Sequence, residues 1–211
     1  MKRNQLIGVA MLSMLSLAAC HKTGSNAGND VKNPEQSAPV NTVQDVAAGP
    51  VGVVSAATAG GFTTTGFIEN AARGDMYEIE AGKIALARSK TAKIKALARM
   101  MITDHQMMSD KLKTAIADSR LPAPPADQDE RRKGMLDNLK AAGDSDFDLA
   151  YLHQQLAAHL EALTLMKGFQ NHGDNAALKT VAAGAAPIVE HHLGMVRDAG
   201  GDQLKSAAGQ N

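Results

Sequence analysis

Ile94-Lys-Ala-Leu-Ala-Arg-Met-Met-Ile-Thr-Asp-His105-Gln-Met-Met-Ser-Asp-Lys-Leu-Lys-Thr-Ala-Ile116 repeats apolar side chains at spacings of three and four. At about 100° per residue, Ile94, Ala98, Met101, Ile102, Met108, Leu112 and Ile116 all fall within roughly 60° of His105. A stripe of that width is the face an amphipathic helix turns toward a core. His105 stands in the middle of it, and that one polar group raises the question of function.

The same period recurs on both sides. It predicts five helical segments near residues 65–89, 91–118, 127–141, 145–171 and 175–199. Leu121-Pro122-Ala123-Pro124-Pro125 breaks the chain after the second segment, Gly173-Asp174 separates the fourth from the fifth, and Gly200-Gly201 ends the fifth. Ser145 is placed to cap the fourth helix, with Asp148 closing a capping box. The chain has no Trp, two Tyr and four Phe against plentiful Ala, Leu and Met, which suits helices far better than strands. Four long helices with short links and one short accessory helix predict an all-α fold, an antiparallel four-helix bundle.

Upstream of the helices the chain has a different character. Lys2-Arg3 precede an apolar run from Leu6 to Leu17, too short to span a bilayer stably, which ends in Leu17-Ala18-Ala19-Cys20. This pattern predicts a lipoprotein signal peptide over 1–19 and a lipid on Cys20, the only cysteine of the chain. The plainer alternative is an ordinary secretory peptide cut after Ala19. His21, rather than Asp, follows the cysteine, so in a bacterium with two membranes the expected address is the outer membrane, facing the periplasm. Residues 20–62 are rich in Gly, Ala, Asn, Ser and Pro without a sustained period and read as a flexible, disordered tether. A weak strand at Val51–Val54 is opposed by the neighbouring glycines and Pro50. The bundle is assigned to 63–200 and a disordered tail to 201–211.

Lys plus Arg and Asp plus Glu each number 22, so there is no electrostatic footprint for nucleic acid. No Cys-x-x-Cys pair, phosphate loop or nucleophile with a base at fixed spacing supports thiol-redox, nucleotide-dependent or hydrolytic chemistry. The expected partner is the membrane, through the N-terminal lipid.

Laying out the other long segments as wheels finds three more polar groups within apolar stripes. Leu152, Leu156, Leu163 and Met166 surround His159. Val181, Ala185, Ile188, Val189, Met195, Val196 and Ala199 surround His192, and Phe67, Ala71, Gly82 and Ala85 share a face with Glu78. Three imidazoles and a carboxylate in a small core need either a shared metal ion or a tight hydrogen-bond cluster. By rise along the helices, Glu78 and His105 lie within about 5 Å of one level, while His159 and His192 differ by about 7 to 8 Å, a gap a bend at Pro187 with Gly184 would narrow. Asp104 and Tyr151 flank the stripes as candidate supporting partners or exposed polar groups, and Asp148, on the inward face, is a further candidate that its capping role already explains. His21, His153, His172 and His191 read as solvated.

Phe67-Ile-Glu-Asn-Ala-Ala, Tyr77-Glu-Ile-Glu-Ala-Gly-Lys-Ile-Ala-Leu86, Met100-Met-Ile-Thr-Asp-His105, the run from Phe147 to His159, and Pro187-Ile-Val-Glu-His-His-Leu193 together resemble a bacterial envelope family with a ferritin-like bundle, the domain of unknown function 4142 family. The resemblance covers residues 64 to about 199 and carries the family's motif positions to Glu78, Asp104, His105, Asp148, Tyr151, His159, Pro187 and His192. It brings no established reaction. Iron-oxidising ferritin-like proteins use Glu-x-x-His on two helices. Here Ile102, Leu156 and Val189 stand three residues before the histidines, so a carboxylate-bridged di-iron centre is not expected.

The leading expectation is an envelope-anchored metal-binding or stress-associated protein with zinc, iron or copper held by Glu78, His105, His159 and His192. Met101, Met108, Met166 and Met195 share these stripes, as core filler or as softer ligands favouring Cu(I). The rival reading is a structural or interaction lipoprotein whose buried polar groups form a network without metal.

Overall fold

A computed structural model describes residues 59–208; the predicted signal peptide, Cys20 and the tether up to residue 58 lie outside the described residues. After a 3-10 turn at Ala59–Phe62 come five α-helices: α1 (Thr64–Arg88), α2 (Ala92–Asp118), α3 (Glu130–Ala141), α4 (Phe147–His172) and α5 (Ala176–Ala208). Among the described residues there is no strand, and no helix is long and apolar enough to cross a membrane.

The apolar stripes meet in two separate cores. One gathers Phe67 and Ile68 of α1, Met108 to Ile116 of α2, Leu165 to Phe169 of α4, and Leu178 to Val189 of α5. The other gathers Tyr77 to Ala85, Ile94 to Met101, Phe147 to Leu152, and Val196 with Leu204, and α3 adds Met135, Leu136 and Leu139. Along α1 and α5 the chain passes from the first core to the second; along α2 and α4 it passes from the second to the first. On α2, α4 and α5 the predicted histidine stands where the helix crosses from one core to the other, while on α1 Glu78 lies just inside the second core, next to Tyr77.

Close approach of α1 and α2 depends on Gly82, where a Cβ would lie 2.8 Å from Ile102 and 3.1 Å from the Ala98 carbonyl. Arg88 holds the end of α3 by donating to the carbonyls of Leu139, Lys140 and Ala142 while stacking on Phe147. Those carbonyls lie in the last turn of a helix and just beyond it, where no intrahelical partner exists.

The structure differs from the sequence reading in four places. A 3-10 turn at Ala59–Phe62 falls within the stretch read as tether, and its Phe62 ring packs against Gly168 and His172. The capping box at Ser145 does not form: Asp146 is the N-cap residue, and Asp148 accepts from the Thr91 hydroxyl, tying the start of α4 to the start of α2. Gly201 does interrupt α5, at φ 51, but helical geometry resumes to Ala208, and buried Leu204 packs into the second core. His153, expected in solvent, is buried on α4.

Candidate metal centre

His105, His159 and His192 come together at the junction of the two cores, each offering one ring nitrogen within 4.8 Å of the other two. Ring centroids are separated by 5.3 to 5.6 Å. The offset between His159 and His192 expected from helical rise is narrowed by the direction of the side chains. On an α-helix each Cα–Cβ bond tilts toward that helix's own N-terminus. His192, farther from the loop joining α4 and α5, therefore leans toward that loop while His159 leans away from it. Their rings meet with His159 Nε2 at 3.3 Å from His192 Nδ1.

Each imidazole is also gripped from behind. His159 Nδ1 lies 2.8 Å from the Gln155 carbonyl oxygen, His192 Nε2 lies 2.9 Å from Asp104 Oδ2, and His105 Nδ1 lies 2.9 Å from Asp75 Oδ1. A carbonyl can only accept, so His159 carries its proton on Nδ1 and presents an Nε2 lone pair to its neighbours. The Asp104 carboxylate likewise favours the proton on His192 Nε2, leaving a lone pair on Nδ1. His105 Nε2 has no hydrogen-bond partner. Burial pulls His105 down to about 3, helped by the charge of His192 and opposed by Asp104. His159 falls well below the usual histidine range through burial and then through its two histidine neighbours, and His192 is lowered by burial against the pull of Asp104. All three rings are thus held neutral, the form in which histidine binds metal.

Glu78 joins this cluster from one side. Its Oε1 lies 3.6 Å from His159 Nδ1, the nitrogen turned away from the other rings, and it is not part of the three-histidine group. Burial pushes its carboxyl up to about 8, against the pull of the Gln155 side chain. Asp104, predicted as a supporting partner, holds His192 directly. Tyr151 lies fully buried in the second core, and its hydroxyl, pushed up by burial and by the charge of Glu78, has no hydrogen-bond partner. Asp148 serves the helix ends and not the triad.

Two groups escaped the sequence reading. Asp75 lies within about 60° of Glu78 on the α1 wheel, and it stands as far before Lys90 as His105 stands after it, so its level was readable. Burial pushes its carboxyl well above the usual range, with Lys113 opposing. The second is the clasp of α3 onto α4: Arg131 reaches both Glu161 oxygens, at 2.8 and 2.7 Å, and buried Arg132 reaches Oε1 at 2.9 Å. A cavity of about 30 Å³ lies between this clasp and Asp75, Glu78 and His105, with Met108 and Met166 also in its wall.

The profile of the family described as "Domain of unknown function (DUF4142)" matches residues 50–199, and the chain belongs to that family. No curated protein and no solved structure matches it.

Proposed function

We propose that this member of the domain of unknown function 4142 family is a lipid-anchored envelope protein that holds one transition-metal ion between His105, His159 and His192. The observation that carries this reading is the 3.3 Å approach of two imidazole nitrogens whose opposite faces are already committed to acceptors. Two lone pairs facing each other in a buried site repel unless a proton or a cation lies between them, and burial disfavours the proton. Two ligands at 2.0 to 2.1 Å from a tetrahedral ion would stand about 3.3 to 3.4 Å apart. Two aspartate carboxyl groups and a backbone carbonyl behind the three rings supply the outer hydrogen bonds that metal-bound histidines regularly make. Zinc, iron and copper all accept imidazole.

We read the fold as a ferritin-like antiparallel four-helix bundle. Its support is the order in which the helices visit the two cores, which makes α1 and α5 run one way and α2 and α4 the other. The connection from α2 to α4 then crosses the bundle's length and carries α3, as in folds with one long crossover. Cys20 with its acyl chains is the anchor, and residues 21–58 are the tether that lets the bundle stand off an outer membrane on its periplasmic side.

The deciding experiment is metal analysis of the untagged mature protein, followed by titration with buffered Zn(II) and Cu(I). One ion per chain is expected, lost on replacing any one of the three histidines with alanine. Absence of binding by the intact protein would favour the rival reading, a polar network that only shapes the core. For the anchor, mass spectrometry of membrane-extracted protein should find acylated Cys20, and Cys20→Ser should release the chain or leave it unprocessed.

A further inference from the structure

We infer that the ion reaching this site is a soft monovalent cation, of the Cu(I) and Ag(I) class, and that it enters between α2 and α5 past the thioether of Met108. The inference rests on the triad being a metal site. Met108 follows His105 by one helical turn and is buried. On one side it lines the cavity that touches His105, Asp75 and Glu78; on the other it lines a surface pocket of about 320 Å³ with Lys111, Gly184 and Ile188. It is the one residue in the walls of both. Met108 thus borders outer pocket and inner cavity alike, and an unbranched side chain with three rotatable bonds can swing without moving a helix.

The opposite wall is loosened at the same level. Pro187 lies inside α5 and has no amide for the Ala183 carbonyl, and a Cβ on Gly184 would meet nothing within 4 Å. The thioether supplies a soft ligand between the two spaces, and Met166 also lines the inner cavity. Lys111 is the only charged residue lining the outer pocket. Its field opposes a divalent ion twice as strongly as a monovalent one, so it filters in the same sense as the sulfur.

The test uses the full mature protein, stripped of metal and handled anaerobically, mixed rapidly with chelator-buffered Cu(I), with Ag(I), and separately with Zn(II). Met108→Leu keeps the volume and removes the sulfur, and Cu(I) and Ag(I) loading should slow about tenfold while Zn(II) loading is slowed less. Gly184→Leu fills the outer pocket from a position with free space, and should slow loading of every ion that binds, without changing affinity. Wild-type loading rates in both variants would overturn the route, and equal slowing of Zn(II) and Cu(I) by Met108→Leu would overturn the role of the sulfur. A wild-type protein that binds Zn(II) but neither soft ion refutes this inference alone, whereas one that binds no ion refutes the metal reading as well.

Discussion

Asp75 Oδ1 and His105 Nδ1 lie 2.9 Å apart, with both side chains almost wholly buried, and this pair orients the one imidazole whose remaining nitrogen has no partner. A carboxylate behind a metal-bound histidine fixes the ring and raises its basicity; removing such a partner costs about 10- to 100-fold in metal affinity. Asp75→Ala is therefore expected to weaken binding by that factor. Asp75→Asn, which still accepts through its amide oxygen, should lose less. Equilibrium titration of the two variants checks this, and affinities equal to wild type would show that the pair is only a buried contact.

Arg120 sits at φ 53, just past the end of α2, where its amide bonds the Ala117 carbonyl and that of Leu121 bonds the Ile116 carbonyl. This is the left-handed helix stop that glycine adopts most easily. Arg120→Gly should stabilise the protein by about 0.5 to 1 kcal/mol. Denaturant midpoints compared at constant slope would measure it, and a destabilised variant would mean that the arginine side chain contributes more than its backbone costs.

Helix number and order, and most helix limits apart from the end of α5, were legible because amphipathic period and helix breakers are local signals. Residues 92–118 and 176–199 fold as their stripes require. The three histidines were legible for the same reason, as polar groups inside apolar stripes. Direction was harder to read: short links make neighbours antiparallel, but only the shared cores show that α2 and α4 run the same way across the long connection. Asp75 was as legible as Glu78 in principle, since its angle and level both follow from the sequence and it stands three residues before Glu78 on the same face. Gln154 and the Arg132–Glu161 pair were beyond reach, because both depend on where α3 lands, and a short helix after a proline-rich loop leaves no periodic record of its docking site.

Two buried tyrosines make a matched test of the core. The Tyr77 hydroxyl donates to Gln154 Oε1 at 2.8 Å, and Gln154 in turn donates to the Met135 carbonyl, linking α1, α4 and α3. Tyr77→Phe should destabilise by about 1 to 3 kcal/mol, since it takes a donor from a buried amide. The Tyr151 hydroxyl has no partner, so Tyr151→Phe should be neutral or stabilising. Thermal melts of both variants decide, and equal losses would show that an internal water satisfies Tyr151.

The last expectation concerns pH and follows from groups shifted in opposite senses. Glu78 is raised from the usual 4.5 to about 8, so the folded metal-free chain keeps a proton that the unfolded chain gives up between those values. Its contribution to stability is complete below about 4.5 and is lost as pH rises through about 8. His105 is lowered from 6.5 to about 3, so the unfolded chain takes up a proton that the folded chain refuses; stability present above 6.5 drains away as pH falls toward 3. His159 and His192 act in the same sense as His105, and Asp75 in the same sense as Glu78. Each group contributes a slope of at most about 1.4 kcal/mol per pH unit. Glu78→Gln, which imitates the protonated acid at every pH, should flatten the alkaline limb while Asp75 keeps it from vanishing, and should leave the acid limb in place. Urea unfolding with chelator present, from pH 4 to 8.5 in steps of about half a unit, resolves slopes of this size. Superimposable profiles for wild type and Glu78→Gln would mean that Glu78 is ionised in the folded protein, and its place beside His159 would then have to be read as a charged contact.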